Sequence, residues 1–285
     1  MDLNVLAKQV EAGKFEQLLV KQFPEETALR LGKMTAAELE KELKQVIRVP
    51  IQLSGEMGPE LFELFYTASW FNLFERLAVP ANAMLFEIAA GDTVYIPKAL
   101  DAYTGKGAQY ATANLNKELS RNFRAKTAGL RIDIRVIEDD GAHILNYYGG
   151  ESFDVIALHH ALNDIIQTII ASKEGIDTVN SNWWTIEPQL LQAVMDYYNR
   201  GELKNAAYES FIRIISTLGR LLKQGGYMIF DNCTHAGYEK LGYSTEFHSS
   251  YIQLAREWIQ EADVGLEEVK LEQYNSKWWM ILQKR

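Results

Sequence analysis

The stretch FEIAAGD, residues 86–92, decides how the rest of this chain is read. Met84, Leu85, Phe86 and Ile88 form an apolar run around Glu87, the pattern of a buried strand, and Ala89, Ala90 and Gly91 follow as a small-residue turn. Small side chains at the end of a strand let backbone approach a ligand closely. Four more strand-like runs follow at intervals that leave room for helices: YATANLN (110–116), RIDIRVIEDD (131–140), FDVIALHH (153–160) and the end of LLKQGGYMIFDN (221–232). Strands alternating with helices predict an α/β domain, doubly wound around a mostly parallel sheet, whose ligands bind at the carboxyl ends of the strands. VKLEQYN (269–275) and KWWMILQKR (277–285) are expected as the last two strands, one of them antiparallel.

Outward from this core, residues 1–79 read as helix and form a cap on a domain spanning 80–285. Thr35 and Glu38 make a capping box for the helix AAELEKELKQVIR, with Pro50 just beyond its end. Pro59 opens a second helix that runs through LFELFYTASWFNLFERLA until Pro80. It is apolar on nearly all sides and must be covered on most of them. Tyr66 and Trp70 on this helix either pack between cap and sheet or reach over the cleft and line a substrate pocket. After the first strand, Pro97 would break a helix already under way, so a loop over 92–96 and a helix from Pro97 are expected. A helical insertion at about 171–203 contains SNWWTIEP, in which Trp183 and Trp184 precede a helix start at residues 187–188. Insertions at this face of a sheet often touch substrate, so one of the two tryptophans either lines the acceptor pocket or serves as packing.

The composition narrows the function classes. The chain has 285 residues, 47% of them hydrophobic, enough for a full core with an appendage. Acids outnumber bases by 38 to 29 and no basic run stands out, which argues against nucleic acid as a partner. The single cysteine, Cys233, excludes an intrachain disulfide framework and a cysteine-rich zinc site, and it reads as a packed residue. No charged-then-apolar leader or spanning apolar segment is seen, so a cytoplasmic protein without membrane contact is expected. Assembly as a homodimer is left open.

Taken together, residues 80–285 resemble the class I S-adenosylmethionine-dependent methyltransferases. The family's first motif, Asp/Glu-x-Gly-x-Gly-x-Gly, is met by Glu87 and Gly91, with Ala89 and Thr93 in place of the other glycines. Where the family carries an acid for the ribose hydroxyls this chain has Asn114, and IEDDG offers Asp140, with Asp139 beside it, for the adenine amine. FDVIALHHALND and LLKQGGYMIFDN are similar to the fourth and fifth motifs. The resemblance implies S-adenosylmethionine as cofactor, held by Glu87, Ala89, Gly91, Asp92 and Asn114. Leu115, Asp139, Asp140, Gly141 and His159 complete the set it implies. The reaction implied is methyl transfer to a small molecule, at oxygen.

A hydroxyl acceptor must lose a proton, and a histidine or carboxylate in hydrogen-bond reach usually takes it. His159 and His160 emerge where the family places residues nearest the transferring methyl, and His235 is a second candidate base. The Asn/Asp-Pro-Pro-Tyr/Phe signature of adenine and glutamine methylation is absent. Asp231, followed by Asn232 at the end of the fifth strand, and Asp164 are only two acids, too few for the divalent-ion cluster of catechol-type members, so no metal is expected. Two other readings stand beside this one. The chain could bind S-adenosylmethionine or a nucleoside without turnover, or be a nicotinamide-dependent oxidoreductase, against which the missing Gly-x-Gly-x-x-Gly speaks.

Overall fold

A computed structural model describes residues 1–48, 57–232 and 245–285. Its sheet contains β1 (Met84–Ile88), β2 (Gln109–Ala113), β3 (Asp133–Ile137), β4 (Phe153–His159), β5 (Leu222–Asp231), β6 (Leu266–Glu268) and β7 (Trp279–Lys284). The order across the sheet is β3-β2-β1-β4-β5-β7-β6. The first five strands pair in parallel, and β7 runs antiparallel to both β5 and β6.

Alternation along the central strands assigns one residue set to each face. Leu85, Val155 and Ala157 join one core, and Phe86, Ile88, Ile156 and Leu158 join the other. The first face carries the amino-terminal helices α1 (Leu3–Glu11), α2 (Glu16–Gln22), α3 (Glu25–Lys33), α4 (Ala36–Arg48) and α5 (Gly58–Arg76). It also carries α6 (Tyr95–Thr104) and α7 (Lys117–Thr127), through Leu100 and Phe123. The second face is covered by α8 (Ala161–Glu174), α9 (Trp183–Asn199), α10 (Leu203–Leu221) and α11 (Thr245–Ala262). A parallel sheet buried on both sides needs apolar side chains in both directions, and β1 and β4 supply them.

The amino-terminal helices form as their sequence predicts. Glu38 Oε2 accepts from both the N–H and the hydroxyl of Thr35, and the Glu38 N–H donates back to Thr35 Oγ1, which completes the capping box of α4. Pro50 lies outside the described residues. Helix α5 is buried on nearly all sides, with Leu61, Phe65, Tyr66, Trp70 and Phe74 enclosed between the cap and the sheet. No helix among the described residues is long and apolar enough to cross a membrane.

Three local expectations are corrected. Helix α6 starts at Tyr95, so Pro97 lies in its first turn, where the missing N–H has no intrahelical acceptor to lose. Helix α9 starts at Trp183, capped by the Asn182 side chain accepting from the Thr185 N–H, and Pro188 lies inside it. The first closing strand is LEE, Leu266–Glu268, and not VKLEQYN. Beyond it only the Val269 N–H reaches across, to the Ile281 carbonyl. The chain then turns so that the Tyr274 hydroxyl, buried, donates to the Ser69 carbonyl of α5.

The glycine pair in the first half of β5 shows how tightly this interior strand is fitted against β4. Gly225 has φ +74°, and a Cβ on Gly226 would stand 2.9 Å from the Asp154 carbonyl oxygen. Backbone cannot yield there without breaking strand pairing. Gly226→Ala should therefore destabilise the protein by about 1–3 kcal/mol. Urea unfolding measures it, and an unchanged midpoint would show that β4 and β5 can separate at this point.

Candidate active site

Between β1 and β4 the strand order reverses, and at such a switch point an open α/β sheet leaves a crevice at its carboxyl ends. The candidate residues gather there in two groups.

The first group lies at the ends of β1, β2 and β3. Ala89 and Gly91 have φ of +55° and +60°, which folds the turn back on itself. The Ala89 N–H donates to the Ala113 carbonyl, and the Gly91 N–H donates to Asn114 Oδ1 at 3.0 Å. Asn114 Nδ2 returns a bond of 2.8 Å to the Gly91 carbonyl. The amide of Asn114 thus clamps both polar groups of Gly91, a use that an aspartate could fill only by half. Asp92 pairs with Lys126 at 2.7 Å, and Leu115 projects with half of its surface exposed. Asp139 accepts from the Asp140 N–H, His143 Nδ1 and the Tyr147 hydroxyl, which together hold its carboxyl below the usual range. Gly141 passes so close to β1 that a Cβ there would stand 2.8 Å from the Ile88 side chain.

Glu87 lies beneath this loop, 1% exposed, and accepts from the Tyr110 hydroxyl. Its Oε1 has no hydrogen-bond partner among the described residues. Burial is the main force on its carboxyl, and its pKa is pushed up from 4.5 to about 7 against the opposing pull of His159 and Tyr110.

The second group lies at the ends of β4 and β5, where the register sets His159 opposite Asp231. His159 Nδ1 donates to Asp231 Oδ1 at 2.7 Å, and Trp70 Nε1 donates to Asp231 Oδ2, also at 2.7 Å. Burial on its own would lower the pKa of His159. The charge of Asp231, their hydrogen bond and the charge of Glu87 outweigh it, so the imidazole is raised above its usual value. His160 has φ +50° and is hydrogen-bonded through Nε2 to the Tyr66 hydroxyl, 2.6 Å away. Neighbours along a strand point to opposite faces, yet the two imidazole rings lie 4.7 Å apart. The left-handed backbone of His160 breaks the alternation and brings them together. Tyr95 closes the group, stacked on Tyr66 at 5.5 Å with an interplanar angle of 11° and set edge-on to His159.

Tyr66 and Trp70 do reach the site, but both are fully buried and act on His160 and Asp231 instead of forming an open wall. Trp183 is half-buried in the first turn of α9. His235, Cys233 and the side chain of Trp184 lie outside the described residues. Sequence reasoning missed Tyr95 and the part Asp231 plays as the partner of His159. Laying the carboxyl ends of the fourth and fifth strands side by side would have shown the second. Two shallow clefts of about 270 and 150 Å³ lie at the other end of the sheet, by the first residues of the strands and away from this chemistry.

The strand order, with its antiparallel β7, is that of the class I S-adenosylmethionine-dependent methyltransferases, and the chain has this fold. No protein-family model matches the chain, and no curated protein matches it. Among solved structures it is similar to PH0851, at 11% identity and a TM-score of 0.50, over 77% of this chain and 46% of that one. It is also similar to a SAM-dependent methyltransferase from Aquifex aeolicus, at 10% identity and a TM-score of 0.45, over 85% of this chain and 96% of that one. A third likeness is to the CurJ carbon methyltransferase, at 15% identity and a TM-score of 0.45, over 95% and 70% of the two chains. At these identities the likeness concerns the fold.

Glu87 gives this site a pH signature. Its pKa is near 7 in the folded protein and near 4.5 when unfolded, so between those values the folded state keeps a proton that the unfolded chain releases. Stability from this group is therefore full below pH 4.5 and lost as pH rises to 7, by roughly 3 kcal/mol in all. Glu87→Gln removes the effect. Its stability relative to the native protein should climb by that amount between pH 4 and pH 8 in urea unfolding, and a flat difference would mean Glu87 is ionised throughout.

Proposed function

We propose that this protein is an S-adenosylmethionine-dependent methyltransferase acting on the hydroxyl of a small molecule. The observation that carries the reading is the His159–Asp231 pair at the carboxyl end of the sheet, beside the switch point and next to the loop that the fold uses for its cofactor. The residues present fit that cofactor. Glu87 Oε1 is a buried acceptor without a partner among the described residues, Gly91 is pre-set in a left-handed turn, and Gly141 brings the Asp139–Asp140 loop close to β1. When bound, the cofactor supplies an activated sulfonium methyl group.

The protein's own share is to orient and to move a proton. Asp231 fixes the His159 ring through Nδ1, which leaves Nε2 to take the acceptor's proton. Trp70 holds the other carboxylate oxygen, so Asp231 cannot turn away. Leu115, exposed at the end of β2, offers an apolar surface to the adenine. A second reading, binding without turnover, is favoured by one observation. At the ribose position Asn114 replaces an acid, and its amide is engaged with Gly91.

Calorimetric titration with S-adenosylhomocysteine tests the cofactor site. Both Asn114→Ala and Asn114→Asp should weaken binding about tenfold, the first by releasing Gly91 and the second by setting a carboxylate against the Gly91 carbonyl. Equal or tighter binding by the aspartate variant would return Asn114 to a direct ribose contact. Once an acceptor is identified, His159→Ala should lower turnover about 10²- to 10⁴-fold with cofactor affinity nearly unchanged. A normal rate in that variant, or no turnover by the native chain over a broad acceptor panel despite tight cofactor binding, would favour the silent binder.

A further inference from the structure

Two imidazoles and a carboxylate converge at the ends of β4 and β5, and we propose that His159, His160 and Asp231 form a binding site for one divalent first-row transition-metal ion. One ligand atom from each of the three lies within 4.8 Å of the others. Imidazole donors favour zinc, iron or cobalt over magnesium and calcium, whose sites are built from oxygen. The expectation of no metal weighed acids alone and left these nitrogens out.

Three features prepare the site. The strained left-handed backbone of His160 sets its ring beside that of His159, a conformation that costs energy and persists where its surroundings over-determine it. The His160 N–H donates to the Asp231 carbonyl at 2.9 Å, which ties the two strand ends together. Trp70 Nε1 fixes Asp231 Oδ2, so that Oδ1 faces His159, as outer partners of ligating carboxylates do. Metal–ligand bonds of about 2.0–2.2 Å place ligand atoms roughly 3–3.5 Å apart around one ion. His159 Nδ1 and Asp231 Oδ1, now 2.7 Å apart, part slightly as the ion takes the place of the Nδ1 proton. That proton is released to solvent, while the ring keeps its other proton on Nε2. The separations of up to 4.8 Å must close as well, and where His160 ligates through Nε2 the ion replaces the Tyr66 hydroxyl as its partner.

Three protein ligands leave coordination positions open. On the reading proposed above, the acceptor's hydroxyl takes one of them. Coordination lowers its pKa, and its proton leaves to solvent. The oxygen then forms the new C–O bond as the C–S bond breaks and its electron pair returns to sulfur. Without the ion, His159 takes that proton instead.

The test is titration of the full chain, freed of metals by chelator and dialysis, with Co(II), followed by its visible absorption. One equivalent should bind. His160→Gly, chosen because glycine keeps the left-handed backbone, and Asp231→Asn should each lower the affinity about tenfold or more, in proteins shown to be folded by circular dichroism. Tyr66→Phe, which removes the hydroxyl bonded to His160 Nε2, should bind at least as tightly as the native chain. Absent cobalt bands, or bands unchanged in both ligand variants, overturn the site. S-Adenosylhomocysteine binding without cobalt binding would defeat the metal site and leave methyl transfer standing. Cobalt binding lost in both ligand variants, with no affinity for S-adenosylhomocysteine, would do the reverse.

Discussion

Charge at the carboxyl end of this sheet exists under desolvation, and the rest of the site follows from how each buried charge is answered. Glu87, His159 and Asp231 are almost wholly removed from water, each at the end of a strand covered on both faces. An isolated ionised group in such a place is strongly disfavoured, so it must find a partner or shed its charge. Asp231 finds two donors, His159 and Trp70. Glu87 has the Tyr110 hydroxyl and the field of His159, and its raised pKa records that these do not fully compensate. A hole in the charge balance at the mouth of a cofactor-type loop is a place where a ligand gains by entering.

The fold was legible because its signals are repeated. Five strand-like runs separated by helical lengths leave few topologies open, and apolar residues in both directions along FEI and DVIAL announce a sheet covered on both faces. The capping box at Thr35 is a local signal with a local cause, and it formed as written. What failed were boundaries governed by partners distant in sequence. VKLEQYN alternates like a strand, but Tyr274 is drawn out of line by a hydrogen bond to Ser69, some 200 residues earlier. Pro188 and Pro97 mark helix starts by their local chemistry, whereas the Asn182 cap and the tolerance of a first turn place those starts a few residues sooner.

The site was legible by position more than by role. The end of β4 pointed to His159 and His160, and the end of β2 to Asn114, because strand ends face the crevice and the family resemblance assigns roles to those positions. Their partners were not visible. That Asn114 clamps Gly91, that His160 leaves the strand alternation and that Trp70 bonds to Asp231 depend on backbone torsions and on the docking of α5. One sequence does not state them.

Because Trp70 and Tyr66 belong to the amino-terminal helices, the polar end of the sheet is finished by a segment that precedes it in the chain. Until α5 docks, Asp231 lacks one of its two donors and His160 lacks its hydroxyl partner. The helices before residue 80 are thus a removable cover in appearance only. The same helices complete the apolar layer on the first face of the sheet, so the core and the polar centre depend on one docked piece. A break in the cap would strip Asp231 and His160 of these partners without changing either residue, so the cap belongs to the centre it covers.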